Sequence, residues 1–186
     1  MAQLTRTGMF QALSKFQNTR DRATTLSQNL VRLRNESLQE SLSDFENSAH
    51  KLEFVKNIEG VDFINDSRAT NANAVWFALE NMAQPVTWIT NMNEVESITE
   101  DLKRLIQEKV KIIVIQGVYS STLEDFFKRM NKDVYRVMNL EDAVRTAFYA
   151  SSSDETILFS PGVVSAGMFR TYRERGEKFK EAVAQL

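Results

Sequence analysis

The chain has 186 residues, of which 42% are apolar and 26% charged, ordinary values for a globular domain with a sizeable core. Its formal net charge of -2 and pI near 5.6 give no basis for nucleic-acid binding. With no cysteine and one histidine there is no disulfide, no thiolate metal centre and little to build a zinc site from. Apolar runs such as 112–115 are too short to span a bilayer, and no signal-peptide core follows Met1, so a cytoplasmic protein without a membrane partner is expected.

Charge is unevenly spread. Residues 1–35 carry Arg6, Lys15, Arg20, Arg22, Arg32 and Arg34 against Asp21 alone, a net +5 that leaves -7 for the remainder. Phe10, Leu13 and Phe16, then Leu26, Leu30 and Leu33, repeat at helical spacing, which predicts one or two basic amphipathic helices. Three uses are open to this extension: packing on its own domain or on a protein partner, attachment to an anionic membrane surface, or an organelle presequence. A further helix is expected over 36–45, with Leu38, Leu42 and Phe45 on one face.

The texture then changes. Strand-like runs over 52–56 and 61–65 flank Asn57-Ile58-Glu59-Gly60, a hairpin pattern. Beyond it helices are expected at 72–82, 98–108, 121–130, 140–150 and 168–185, and strands at 86–90, 111–116, 134–137 and 156–160. Short apolar strands alternating with three-turn helices predict an α/β fold, a mostly parallel sheet with helices on both faces. Right-handed crossovers place the strand C-terminal ends on one edge, where ligands bind in such folds.

Three loops at that edge carry the polar residues. Asn65-Asp66-Ser67-Arg68-Ala69-Thr70-Asn71 follows a strand and opens a helix. It suits either a small anion, held by free N–H groups and Arg68, or a helix cap made by Asp66 or Ser67. The second loop is Thr90-Asn91-Met92-Asn93-Glu94-Val95-Glu96. The third, from Ser160-Pro161-Gly162 to Ser165-Ala166-Gly167, offers Ser165 as a helix cap.

Four motifs in order over 36–186 give the chain a resemblance to the C-terminal domain of the Mur ligases, and within that family to the D-glutamate-adding branch. They are His50-Lys51-Leu52-Glu53, Phe63 through Asn71, Leu158-Phe159-Ser160-Pro161, and Met168-Phe169 through Arg173-Glu174-Arg175-Gly176-Glu177-Lys178-Phe179. The resemblance implies a Rossmann-like sheet. It also implies descent from enzymes that activate a carboxylate with ATP as an acyl phosphate, which an amino acid then attacks. Asp66 and Lys51 then fall where the family approaches the nucleotide, and Arg68 beside the reaction centre. Thr70 and Ser165 fall where it holds the amino acid, with Tyr172 at an aromatic position nearby. Ser67, Asn71 and Ala166 complete the matched ligand-binding positions.

The departures point away from catalysis. No Gly-x-x-x-x-Gly-Lys-Ser/Thr stretch occurs in the sequence. The loop of Asn91, Asn93 and Glu94 replaces a Gly-Gly and lysine pattern, with Glu94 facing where a substrate carboxylate would lie, a repulsive arrangement. Gly162-Val163-Val164 narrows the expected pocket. A stand-alone, non-catalytic binding or regulatory module is therefore expected, with a link to peptidoglycan precursor synthesis. The alternative is the amino-acid-binding part of a split ligase. No metal or cofactor is expected for the chain alone, ATP and magnesium entering only if another chain supplies the nucleotide-binding domain. Partner binding or self-association is expected to run through residues 1–35.

Overall fold

The computed structural model describes residues 49–83, 85–118, 121–165, 167 and 169–186. The basic extension, the helix expected over 36–45 and Ala166 lie outside the described residues.

The first two strands, β1 (Glu53–Ile58) and β2 (Val61–Asn65), pair antiparallel. Only Glu59 and Gly60 separate them, both with positive φ (52° and 85°), the conformation whose twist matches a two-residue hairpin. The chain continues through α1 (Ala72–Glu80), β3 (Val86–Thr90), a short 3-10 turn at Val95–Ser97, α2 (Glu100–Lys109) and β4 (Val110–Gln116). It then forms α3 (Ser121–Arg129), β5 (Asp133–Val137), α4 (Leu140–Ala150), β6 (Thr156–Phe159) and α5 (Tyr172–Ala184). The sheet order is β1-β2-β6-β3-β4-β5, with every pair after the hairpin parallel.

Alternation along the central strands divides the core between two faces. Trp88, Ile113 and Leu158 point into the layer with Val75 and Leu79 of α1, Leu102 and Ile106 of α2, and Phe127 of α3. Their neighbours Ile89, Val114 and Phe159 point the other way, against Ala143 and Val144 of α4 and Phe179 of α5. Phe159 and Phe179 stack with ring centroids 4.8 Å apart. Strands covered on both faces are apolar throughout, as β3 and β6 are but for Thr87, Thr90 and Thr156. None of the described helices is long and apolar enough to cross a membrane.

β6 lies between β2 and β3, yet its following helix covers the opposite face from those after β2 and β3. The connections diverge at the C-terminal end of β6, which opens a crevice there. Two helix starts differ from expectation. Helix α5 begins at Tyr172 with Thr171 as its cap, the Thr171 Oγ1 accepting from Glu174 N at 3.1 Å, so Ser165 does not cap it. Helix α1 is capped by Asn71, whose Oδ1 accepts from Ala74 N at 3.0 Å, so neither Asp66 nor Ser67 is its cap. The turn 66–70 is engaged elsewhere, bonded to the end of β6 and to α5 before the helix can start.

Candidate functional site

The loop after β2 is a buried polar turn. Asn65, Asp66 and Ser67 are all at most 4% exposed. Asp66 N donates to Phe159 O at 2.8 Å, tying the turn to the end of β6, and Ala69 N donates back to Asp66 O at 2.9 Å. The Asp66 carboxylate accepts from Ser160 Oγ at 2.8 Å and from Leu52 N at 3.4 Å. Burial raises its pKa from 3.8 to about 7, against the opposing pull of those two bonds and of the Lys51 and Arg175 charges.

The cation that completes this turn is Arg175 of α5. It is 2% exposed, and its Nη2 and Nη1 donate to Ser67 O at 2.8 Å and Val163 O at 3.1 Å. One guanidinium thus clamps the loop after β2 to the loop after β6. Burial lowers its pKa to about 10, with Asp66 pulling the other way, so it stays charged at neutral pH. Gly176 lets α5 come this close: a Cβ there would overlap His50 Nδ1 and Ser67 Oγ.

A second polar cluster lies against the same helix. Asn65 Nδ2 donates to Glu53 Oε2 at 2.9 Å and lies 3.2 Å from His50 Nδ1. Glu53 also accepts from His50 N and from Lys180 Nζ. Burial opposes its ionisation, but these bonds prevail and hold its carboxyl below the usual range. His50 Nε2 lies 3.4 Å from Glu177 Oε1, and the imidazole meets the edge of Tyr172.

A cleft of about 600 Å³ opens at the C-terminal ends of β3 to β6. Its polar wall consists of Asn91, Asn93, Gln116 and Arg175. Val118, Met138, Val163, Val164 and Phe169 supply the apolar part, and Val118, Met138 and Val164 are well exposed on the rim.

Of the residues singled out in the sequence, Asn91 and Asn93 line the cleft, while Asp66 and Ser67 belong to the buried turn behind Arg175. Glu94 is exposed and does not line the cleft; it precedes the 3-10 turn without a side-chain capping bond. Arg68 is exposed, with its guanidinium 6.0 Å from the centre of the Tyr172 ring. It forms no clamp on the turn; Arg175 does. Lys51 places its ammonium 5.3 Å from the centre of the Phe77 ring. Thr70 is half-buried, Asn71 serves as the α1 cap, and the Ser165 hydroxyl is buried without a hydrogen-bond partner among the described residues. Sequence reasoning misses Arg175 and Gln116 as site residues. Arg175 sits within a matched motif, but an arginine on an otherwise charged helix reads as a solvated face. No cluster of three metal-ligating side chains occurs among the described residues.

No family model matches the chain. Among curated proteins it is similar to the UDP-N-acetylmuramoylalanine–D-glutamate ligase of Bacteroides fragilis, 36% identical over 165 residues that take in 88% of this chain and 37% of that protein. The Salinibacter ruber protein of the same name is 34% identical over 164 residues, 88% of this chain and 36% of its own. The chain therefore spans little more than a third of the length of these curated relatives. The match is longer than 36–186 and so runs into the basic segment before it. Among solved structures, a UDP-N-acetylmuramate–alanine ligase from Thermotoga maritima shares the fold, with a TM-score of 0.52, 16% identity, and coverage of 78% of this chain and 32% of that one. Similarity at this level along most of its length, on a sheet shared with a solved Mur ligase, makes this chain a relative of the Mur ligases that corresponds to their C-terminal domain.

Proposed function

We propose that the chain is a binding or regulatory module built on the Mur ligase C-terminal domain, linked to peptidoglycan precursor synthesis and without ligase turnover of its own. One observation carries this reading: its 186 residues contain no Gly-x-x-x-x-Gly-Lys-Ser/Thr stretch, so they supply neither the backbone cradle nor the lysine that hold a triphosphate. The buried turn supports it. Asp66, at a position the resemblance assigns to nucleotide contact, is covered and bonded to Ser160, and its burial disfavours the charged form.

What persists is a ligand-sized cleft at the strand ends, the usual position for a small molecule in this architecture. The basic segment 1–35 is the natural contact for a protein partner or a second copy, because its +5 charge is set against an acidic remainder. The test is turnover: the pure chain, given ATP, magnesium, the UDP-linked precursor and D-glutamate, is expected to release no phosphate above a buffer control. Sustained release, lost in an Asp66→Ala variant, overturns the reading. Retention of the cleft favours a second reading, the amino-acid half of a split ligase. Turnover by this chain mixed with a separate nucleotide-binding domain, but by neither alone, would establish that one.

A further inference from the structure

The carboxamides of Asn91 and Gln116, at the ends of β3 and β4, meet head to tail. Asn91 Nδ2 donates to Gln116 Oε1 at 2.8 Å and to Gln116 O at 3.0 Å. This leaves one acceptor, Asn91 Oδ1, and one donor, Gln116 Nε2, both buried and without a partner among the described residues. Turning both amides over would set Asn91 Oδ1 against the Gln116 carbonyl, acceptor facing acceptor, so the bond from Asn91 Nδ2 to Gln116 O fixes the assignment. Buried polar atoms are almost always satisfied, so an orphaned donor and acceptor on adjacent side chains call for something that fills both. Six buried side-chain polar atoms lack a partner among the described residues. Those of Asn91, Gln116 and Arg175 belong to residues lining the cleft.

We infer that the cleft takes a ligand bearing an uncharged primary carboxamide, whose carbonyl accepts from Gln116 Nε2 while its N–H donates to Asn91 Oδ1. A carboxylate offers only acceptors and would set its charge against Asn91 Oδ1; an ammonium offers only donors and leaves Gln116 Nε2 unfilled. A carboxamide supplies one of each from the same planar group. The wall carries a single charge. Arg175 is the only ionisable side chain lining the cleft among the described residues; its two terminal nitrogens donate to Ser67 O and Val163 O, while its Nε–H has no partner among them. Among the described residues no lysine stands there to hold a second negative charge. Neither orphaned atom reaches solvent, so the amide enters on a turn of the half-buried Asn91 side chain.

This inference rests on the cleft being a ligand site, and the experiment separates the two. Calorimetric titration of the full chain with D- and L-glutamine and with D- and L-glutamate compares ligands that differ only in the terminal amide or carboxylate. One glutamine enantiomer is expected to bind about tenfold or more tightly than its glutamate counterpart. Gln116→Glu, which replaces the donor by an acceptor of the same shape, is expected to remove that preference. Asn91→Ala at the half-buried position is expected to weaken glutamine by a similar factor, with unchanged circular dichroism confirming the fold. Glutamate binding as well as or better than glutamine overturns the carboxamide but leaves the ligand site standing. Glutamine affinity unchanged in both folded variants also overturns it. Binding of none of the four at millimolar concentration means that only water bridges the pair, and overturns both.

Discussion

Replacing Asp66 by asparagine should make the protein more stable, and by an amount that grows with pH. The folded-state pKa of about 7 lies well above the ordinary 3.8. Below pH 3.8 the carboxyl is protonated whether the chain is folded or not, and the shift has no effect. Between 3.8 and 7 the native protein keeps a proton that the unfolded chain releases, so stability falls by about 1.4 kcal/mol for each pH unit of increase. Above about pH 7 both states are ionised and the loss levels off, at about 4 kcal/mol in all. An asparagine in its place would be uncharged throughout. Its Oδ1 can still accept from Leu52 N, and its Nδ2 can donate to Ser160 Oγ, which then acts as acceptor. Urea unfolding of both proteins, at about pH 5 and about pH 8, gives the stability difference between variant and parent, in which all other titrating groups cancel. That difference should widen in favour of the variant by about 2 to 3 kcal/mol from the lower to the higher pH. A difference that stays constant, or narrows, would refute the claim that a buried carboxyl is ionised at a cost in this turn.

Other substitutions probe the elements that hold the turn. Arg175→Met should cost about 2 kcal/mol in urea unfolding because Ser67 O and Val163 O lose their donors. It should also move the Asp66 titration to higher pH, since Arg175 opposes the rise; Arg175→Lys should rescue little, a single ammonium being unable to span both carbonyls. Gly176→Ala should lower stability by about 1 to 3 kcal/mol, read as a fall in melting temperature, because the methyl overlaps His50 and Ser67. Asn71→Ala should cost about 1 kcal/mol as a lost helix cap. Ser67→Ala should cost nothing, its hydroxyl having no partner to lose among the described residues; a loss at Ser67 with none at Asn71 would reverse the cap assignment.

The alternation of strands and helices was legible because each central strand is buried on both faces and each helix has one apolar side, patterns set by local spacing. The hairpin was legible from Gly60, and the C-terminal sheet edge as the place of a crevice from the order of the elements. The partners within that edge were not. Arg175 and Ser67 are 108 residues apart, and no local pattern says that an arginine in Arg173-Glu174-Arg175 turns inward while its neighbour Arg173 stays exposed. What holds it inward is the close approach of α5 that Gly176 permits, together with the two carbonyls it bonds. Arg68, two residues after Asp66, is turned outward instead, exposed over Tyr172. Glu94 is exposed and outside the cleft lining, because a loop position inferred by resemblance does not fix where a side chain points.

The place of β6 in the sheet bears on how the protein is made. It is the last of these strands to leave the ribosome, yet it alone joins the hairpin of β1 and β2 to the β3-β4-β5 half. Until Thr156–Phe159 emerges, the nascent chain holds two partial sheets, each with an open and largely apolar edge ready to pair with a neighbouring chain. Arg175 and Phe179, which seal the seam, arrive later still. A premature stop between β5 and β6 would therefore leave more than a shortened product: it would leave two sticky fragments on one chain, to be cleared by chaperones or proteases before they associate.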